Sequence, residues 1–386
     1  MALITDIRPL ETKWLFNNNN HIIEFYSDDT EKTAQFAEIT IEGISQSIVI
    51  YPNLEGRFWF NFQQYFESLI NDIEDNIDNS TINGSDVNSF VFDWSNIVVN
   101  PQIDYTITHT DTTTVTDQFR PWIINGVEDY ILYKQGQNKD AQKLHILSPL
   151  NSNTANTHYL KYWEGYPFDI GLSQSVPNAI PTQEIKNLTT GDISPPISTP
   201  HKAQRLFISN GETDTNIESH LPLVVGKNNL RVQQAIEDYL YIDLYKIKSR
   251  CGVYIKWLNN FGGYNYWLFN QAHIEQLNSR ARGVMFNDFA ELADTQSPYR
   301  SIGRTFDKMY RLTADNLTKE DIIILSGLFE SPCIYLFVGK PYSQNSHKSW
   351  LEVQLDSSSV QKRDFKGKIP DIEIGIKIPT SKTIRR

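Results

Sequence analysis

The sequence predicts a mainly β protein: two or three β-sandwich or β-barrel-like domains with one or two short packing helices. Three observations carry this reading. Aromatic residues make up 12% of the 386 residues, with 19 Tyr and 20 Phe, and such side chains pack best on a pleated surface. Short runs with an apolar residue at every second position recur along the chain. Asn-rich clusters such as Asn17 to Asn20 separate them, and Asn suits tight connections. A chain of this length, 40% hydrophobic and 21% charged, has room for more than one core.

The first region, residues 1–175, reads as a β-rich domain. "HIIEFYSD" and "AEITIEG" alternate as strands, and "QSIVIYPNLEGRFWFN" reads as two strands joined by a Pro-Asn-Leu-Glu-Gly turn. In "NFQQYFESLINDIED", Phe62, Phe66, Leu69, Ile70 and Ile73 recur at helical spacing. The acidic end of that helix opposes the helix dipole and is expected to fray. "SFVFDWS" and the Thr-rich "DYTITHTDTTTVTDQF" read as strands. Asn125-Gly126 lies between apolar runs and signals a two-residue hairpin turn. "QKLHILS" and "HYLKYWEGYPFDIGLS" complete the region.

Residues 176–201 hold five of the 17 prolines and little periodicity, so they read as a linker or extended arm. A central β domain, 202–300, follows with "QRLFISNG", "LPLVVG" and "DLYKIKS". The last block, 301–386, predicts a sheet with one helix from about Lys319 to Phe329. Thr318 stands at its N-cap, Asp321 at the capping-box position and Ser331-Pro332 as a stop. The helix offers Ile322, Ile323, Leu325, Leu328 and Phe329 to a sheet that includes the strictly alternating Ile372, Ile374, Ile376 and Ile378.

Charge narrows the function classes. A net −11 and a pI near 5.3 argue against a protein that coats nucleic acid. The basic end "TSKTIRR" reads as a solvated tail. Met1 to Trp14 lacks a basic n-region and an apolar h-region, so no secretory leader is expected. No apolar run is long enough for a spanning helix. Cys251 and Cys333, the two cysteines, sit beside strand-like runs and read as buried reduced thiols made in a reducing cytoplasm.

No catalytic or metal signature stands out. The eight histidines are scattered, without the i, i+4 pair of a zinc protease and without a Cys-x-x-Cys. There is no phosphate loop, no dinucleotide fingerprint and no Gly-x-Ser-x-Gly elbow. A glycosidase needs only two suitably spaced carboxylates, so Glu128, Asp129, Glu164 and Asp169, near aromatics, stand as candidates. The Asp75 to Asp86 loop is oxygen-rich but lacks the spacing of a calcium loop. The reading is a chain that is not an enzyme, with no catalytic residue, cofactor or metal.

The densest feature is "CGVYIKWLNNFGGYNYWLF", with seven aromatic residues and one charge. Val253, Ile255 and Trp257 point one way and Tyr254, Lys256 and Leu258 the other. "NNFGG" turns the chain, so this is a hairpin apolar on both faces, hence covered on both. It is either the inner hairpin of a sandwich or a face that meets a neighbouring subunit; a sugar-binding platform is the third option. The candidate packing or subunit-interface residues are Tyr254, Trp257, Phe261, Tyr264, Tyr266, Trp267 and Phe269.

This stretch resembles a recurrent segment in virion structural proteins of tailed phages infecting Bacteroidota, including crAss-like phages. "FAEITIEGISQSIVIYPNLEGRFWFNFQQYFESLIND" is similar to their strand, Pro-Asn-x-x-Gly turn and amphipathic segment. "YRLTADNLTKEDIIILSGLFESPCIYLF" with "SWLEVQLDSSS" resembles their ending. The resemblance implies a tail or tail-hub subunit in the virion, assembled in the host cytoplasm. Its implied partners are copies of itself in a ring and other tail proteins; the acidic charge and the lack of a long apolar run lead to the expectation of no direct nucleic-acid binding and no membrane insertion. The alternatives are a carbohydrate- or receptor-binding module at a tail tip and a glycan-cleaving tail enzyme.

Overall fold

The computed structural model describes residues 3–8, 14–70, 86–128, 143–149, 156–175, 182–198, 202–211, 217–235, 238–248, 251–271, 273–286, 298–343, 346–356, 371–379 and 381–382. The expected class holds: the chain is mainly β, with several sheets stacked as sandwich-like units. Two α-helices lie among the described residues, α1 (Gln63–Leu69) and α2 (Lys319–Glu330).

The N-terminal sandwich follows from alternation. Ile103–His109 buries every second residue, from Ile103 through Tyr105 and Ile107 to His109. It pairs with Thr114–Phe119 on one side and Ala34–Ile41 on the other, and Ile48–Ile50 closes that sheet. The facing sheet holds Ile4–Arg8, Ile22–Ser27 and Phe58–Asn61. "PNLEG" is therefore not a hairpin turn: its flanking strands belong to different sheets. Phe62 and Phe66 of the α1 region stack at 5.3 Å and plug the core between the sheets. The acidic stretch beyond Ile70 lies outside the described residues, apart from Asp86.

A three-stranded seam joins this sandwich to the rest. Trp14–Phe16 pairs in parallel with Trp122–Ile124, which pairs antiparallel with Val98–Val99. Because strand residues alternate faces, Leu15 and Ile123 serve the N-terminal core while Trp14, Phe16 and Ile124 serve the larger one. Asn125-Gly126 forms no two-residue left-handed turn. Gly126 is extended, at φ 157°, and lies so close to the 259–263 turn that a Cβ would sit 2.4 Å from the Asn260 carbonyl oxygen.

The larger body departs from the expected divisions. Thr157–Trp163, placed in the first domain by the sequence, pairs in parallel with Asp238–Ile247 of the second. Pro167–Ser173 pairs with Ala203–Asn210. The described part of the Pro-rich segment is not a free arm. Ile185–Asn187 joins Gly226–Ala235, Thr182–Gln183 pairs with Ile197–Ser198, and Ile185 and Ile197 are buried. Two apolar anchors hold the segment, and Pro195 and Pro196 sit outside the paired positions. "LPLVVG" forms no strand; the strand starts at Gly226.

One antiparallel sheet unites the central and C-terminal blocks. Its order is Tyr264–Phe269, Val253–Leu258, Ile334–Phe337, Trp350–Leu355, Ile372–Lys377, Tyr299–Ala314 and Ile274–Phe286, with Ser381–Lys382 also on Tyr299–Ala314. The boundary expected at residue 300 is thus bridged by ladders on both sides. Helix α2 has the expected cap: Thr318 Oγ1 accepts from the Asp321 N–H at 3.2 Å, and Asp321 Oδ2 accepts from the Thr318 N–H at 3.0 Å. The strand it packs on is Val253–Leu258, with Gly327 facing the Trp257 indole.

Candidate functional site

The aromatic hairpin is an interior element. All six residues of Val253–Leu258 and all six of Tyr264–Phe269 are buried. Of the seven candidate aromatics, only Phe261, in the turn, is partly exposed. The other six are covered within the chain itself, so the hairpin presents no exposed sugar platform. Tyr254 alone meets Trp163, Tyr166, Tyr266, Phe337 and Trp350, with centroids 4.6 to 6.1 Å apart.

This apolar layer holds charges, and each has a structural reason. Arg205, from Ala203–Asn210, sends Nη2 to Asp169 Oδ2 at 2.5 Å, with side chains 2% and 0% exposed. The Tyr266 hydroxyl donates to the same carboxylate oxygen. The guanidinium lies 4.7 Å from the Tyr264 ring centroid and 5.3 Å from those of Trp94 and Phe207, a stacking environment that suits a planar cation. Burial, and then the Asp169 charge, push the hydroxyls of Tyr254 and Tyr266 well above the ordinary tyrosine range. Lys256 is buried with its ammonium 4.6, 4.8 and 5.1 Å from the rings of Tyr264, Trp350 and Tyr335. Asp321, also buried, receives Lys161 Nζ at 2.6 Å and the Tyr159 hydroxyl at 3.1 Å, which pins the start of α2 to the neighbouring sheet.

These contacts settle where the candidate carboxylates stand. Asp169 is sealed in its ion pair. Glu164 lies 3.4 Å from Lys246, which also binds Glu218 at 2.5 Å. Asp129 lies outside the described residues, and Glu128 accepts at its backbone from the Asn19 side chain. Among the described residues no group of three His, Cys, Asp or Glu side chains is placed to hold a metal ion, and no helix is long and apolar enough to cross a membrane. Cys251 is exposed and Cys333 half-buried, so neither is the fully buried thiol expected. Cys251 precedes its strand and lies in the connection rather than the core.

The surface feature that sequence reading missed is the far edge of the large sheet. Ile274–Phe286 and Tyr299–Ala314 form a ribbon of two long strands, 13 and 16 residues. At its base Met309–Ala314 pairs with Ile372–Lys377, and next Thr305 and Phe306 meet Lys382 and Ser381. Among the described residues, the outer part, Ala281–Phe286 with Tyr299–Arg304, pairs only with itself. At about 3.3 Å per residue the 13-residue strand is about 40 Å long. Gly283 sits at a double shift in register, which adds local twist. Ile274, Leu277, Val284, Met285, Phe286, Tyr299 and Ile302 are all exposed on it. Alternation gave no warning, because neither face of the ribbon's outer part is buried and the polar residues follow no period.

No protein-family model and no curated protein matches the chain. Among solved structures, the fibronectin(III)-like modules of Clostridium thermocellum CbhA align over 63% of this chain and 95% of theirs, at 7% identity and TM-score 0.18. The teleost fish polymeric Ig receptor ectodomain aligns over 64% of this chain and 100% of its own, at 6% identity and TM-score 0.22. E. coli alpha-2-macroglobulin aligns over 80% of this chain and 21% of its own, at 7% identity and TM-score 0.22. Likenesses at these scores carry no argument; the sandwich architecture rests on the sheets described above.

Proposed function

We propose that this chain is a non-catalytic structural subunit of a tailed-phage virion, a tail or tail-hub component that assembles in a ring with copies of itself. Three stretches support the reading by resemblance: the "PNLEG" region, the aromatic hairpin, and the α2 ending with its Trp350 strand. The observation that carries it is the continuous sheet built from two of them. One end of that sheet is locked into the body by the aromatic hairpin. Among the described residues, the other end runs out as a ribbon whose outer strand has one unpaired edge, with exposed apolar side chains. A long unpaired edge is a hazard for a solitary protein and a natural device for an assembling one.

A stop codon placed in this gene of a phage that encodes it tests the reading. Non-permissive infection is expected to yield filled heads without complete tails by negative-stain microscopy, restored by supplying the chain in trans. Infectious particles of normal appearance from the mutant would refute a structural role.

A further inference from the structure

We propose that the wet face of the sheet formed by Thr157–Trp163, Asp238–Ile247, Gly226–Ala235 and Ile185–Asn187 binds an acidic glycan, with a sugar carboxylate between Arg231 and Lys186 and a sugar ring against Tyr241. The inference goes beyond the virion reading and does not rest on it. Alternation places the parts. Leu240, Ile242 and Leu244 turn into the large core, so Tyr239, Tyr241, Asp243 and Tyr245 of the same strand turn the other way. Across the ladders Tyr241 lies opposite Arg231, and Arg231 opposite Lys186. Tyrosine, arginine and lysine thus stand in one row, about 4.8 Å from strand to strand. Asp243 and Asn229 form the next row. The start of α2 reaches this face at Tyr159 and Lys161. Tyr239, Tyr241, Asn229, Arg231 and Lys186 are half-buried, and Lys227 is exposed.

The two cations point to an anion. Like charges directly opposite each other on a sheet repel, and among the described residues neither Arg231 nor Lys186 has a carboxylate partner. The nearby carboxylates are engaged elsewhere or stand apart. Asp238 pairs with Lys143 at 2.8 Å, Asp243 pairs with Lys227 at 2.9 Å, and Glu184 is exposed and forms no ion pair. A chain of net −11 that leaves two cations facing one another presents a seat for an anion. The Arg231 guanidinium lies 4.4 Å from the Tyr239 ring centroid, which holds its planar fork in place for bidentate contact with a carboxylate. Tyr241 and the next row decide the class of ligand. One side of a sugar ring is a patch of C–H groups that packs on an aromatic face, and its hydroxyls need donors and acceptors at the rim. Tyr241 supplies the aromatic face. Asp243, held by Lys227 and by Asn229 Nδ2 at 3.0 Å, supplies an acceptor about 6.6 Å along the strand, and Lys227 and Asn229 supply donors. A nucleic-acid strand fits worse, since it brings a phosphate with every base and the next phosphate would meet Asp243. A glycan with a carboxylate on one sugar and hydroxyls on its neighbour matches an anion seat beside an acceptor.

The test measures binding by the full-length chain in isothermal titration calorimetry. The probes are oligosaccharides of galacturonic, mannuronic and sialic acid, neutral oligosaccharides of galactose and mannose, and a single-stranded oligothymidylate. At least one acidic glycan is expected to bind, more weakly with added salt, and the neutral oligosaccharides to bind about tenfold more weakly or less. Arg231→Gln combined with Lys186→Gln is expected to lower that affinity about tenfold or more without lowering the melting temperature read by circular dichroism. Tyr241→Ala is expected to lose binding, and Tyr241→Phe, which keeps the ring, to retain it; that contrast separates a stacking face from a variant that fails to fold. The proposal is overturned if no acidic glycan binds the wild type, if the neutral oligosaccharides bind as tightly, or if the double variant binds as the wild type does. Oligothymidylate binding that the double variant loses, with no acidic glycan bound, would assign the face to nucleic acid instead. None of these results bears on whether the chain is part of a virion.

Discussion

Removing the Asp169 carboxylate is expected to cost more than any single apolar truncation of comparable size. Asp169→Ala deletes an acceptor that binds Arg205 Nη2 at 2.5 Å and also takes the Tyr266 hydroxyl. Neither Arg205 nor Tyr266 is then near water: the Arg205 side chain is 2% exposed and Tyr266 is buried. An uncompensated buried guanidinium costs about 3–5 kcal/mol. Arg205→Met combined with Asp169→Ala and Tyr266→Phe removes the charge, its partner and the orphaned hydroxyl together. The Met side chain then fills the space beneath Trp94, Phe207 and Tyr264 that the guanidinium occupies. That triple variant is expected to recover most of the loss, because replacing a whole buried ion pair by apolar groups is often neutral or favourable. Urea denaturation followed by tryptophan emission reads the effect, with Trp94 reporting directly. The large and small cores are separate clusters, so only the large-core transition should move. An Asp169→Ala variant within about 1 kcal/mol of wild type, or a triple variant no better than the single, would refute the buried-charge argument.

Three further outcomes follow from the same packing. Trp257→Ala, which empties a fully buried site beneath α2, should lower the large-core stability by about 3–5 kcal/mol; Trp257→Phe should cost less, since the indole N–H finds no acceptor among the described residues, and equal losses would contradict this. Thr318→Ala removes the hydroxyl half of the α2 capping box and should cost about 0.5–2 kcal/mol in denaturant unfolding, with no change if the cap is idle. His21 packs 5.5 Å from Phe66 and bonds the Phe16 carbonyl at 2.7 Å, and burial holds its pKa below its ordinary value of 6.5. The unfolded chain therefore takes up that proton first, so the His21 contribution is intact above about pH 6.5 and is lost as pH falls through the depressed pKa. The N-terminal core should melt earlier in acid, and His21→Gln should flatten that dependence; an unchanged profile would remove His21 from the account.

The fold was legible where one face of a strand is wet and the other dry. Ile103–His109 and Ile372–Lys377 alternate cleanly, and their burial follows the sequence residue by residue. The aromatic hairpin was legible for the opposite reason, being apolar on both faces. The α2 cap was readable because Thr318 and Asp321 act locally. Domain boundaries were not, because a sheet assembles strands from distant segments. Thr157–Trp163 and Asp238–Ile247 meet through a parallel ladder that leaves no local trace. The ion pair of Asp169 with Arg205 was hidden likewise, since nothing near either residue announces its partner. The ribbon escaped notice because its outer part answers to no core. Its residues record a surface, and their signal lies in charge and exposed apolar side chains rather than in periodicity.

The claim that this chain is a working part of a virion is tested most directly by quantitative mass spectrometry on gradient-purified particles of a phage that encodes it. The account predicts the full-length chain in the particles, in several copies per virion at a fixed ratio to the major capsid protein through successive gradients. Absence from purified particles, with the chain left in the soluble fraction of the infected-cell lysate, would contradict it.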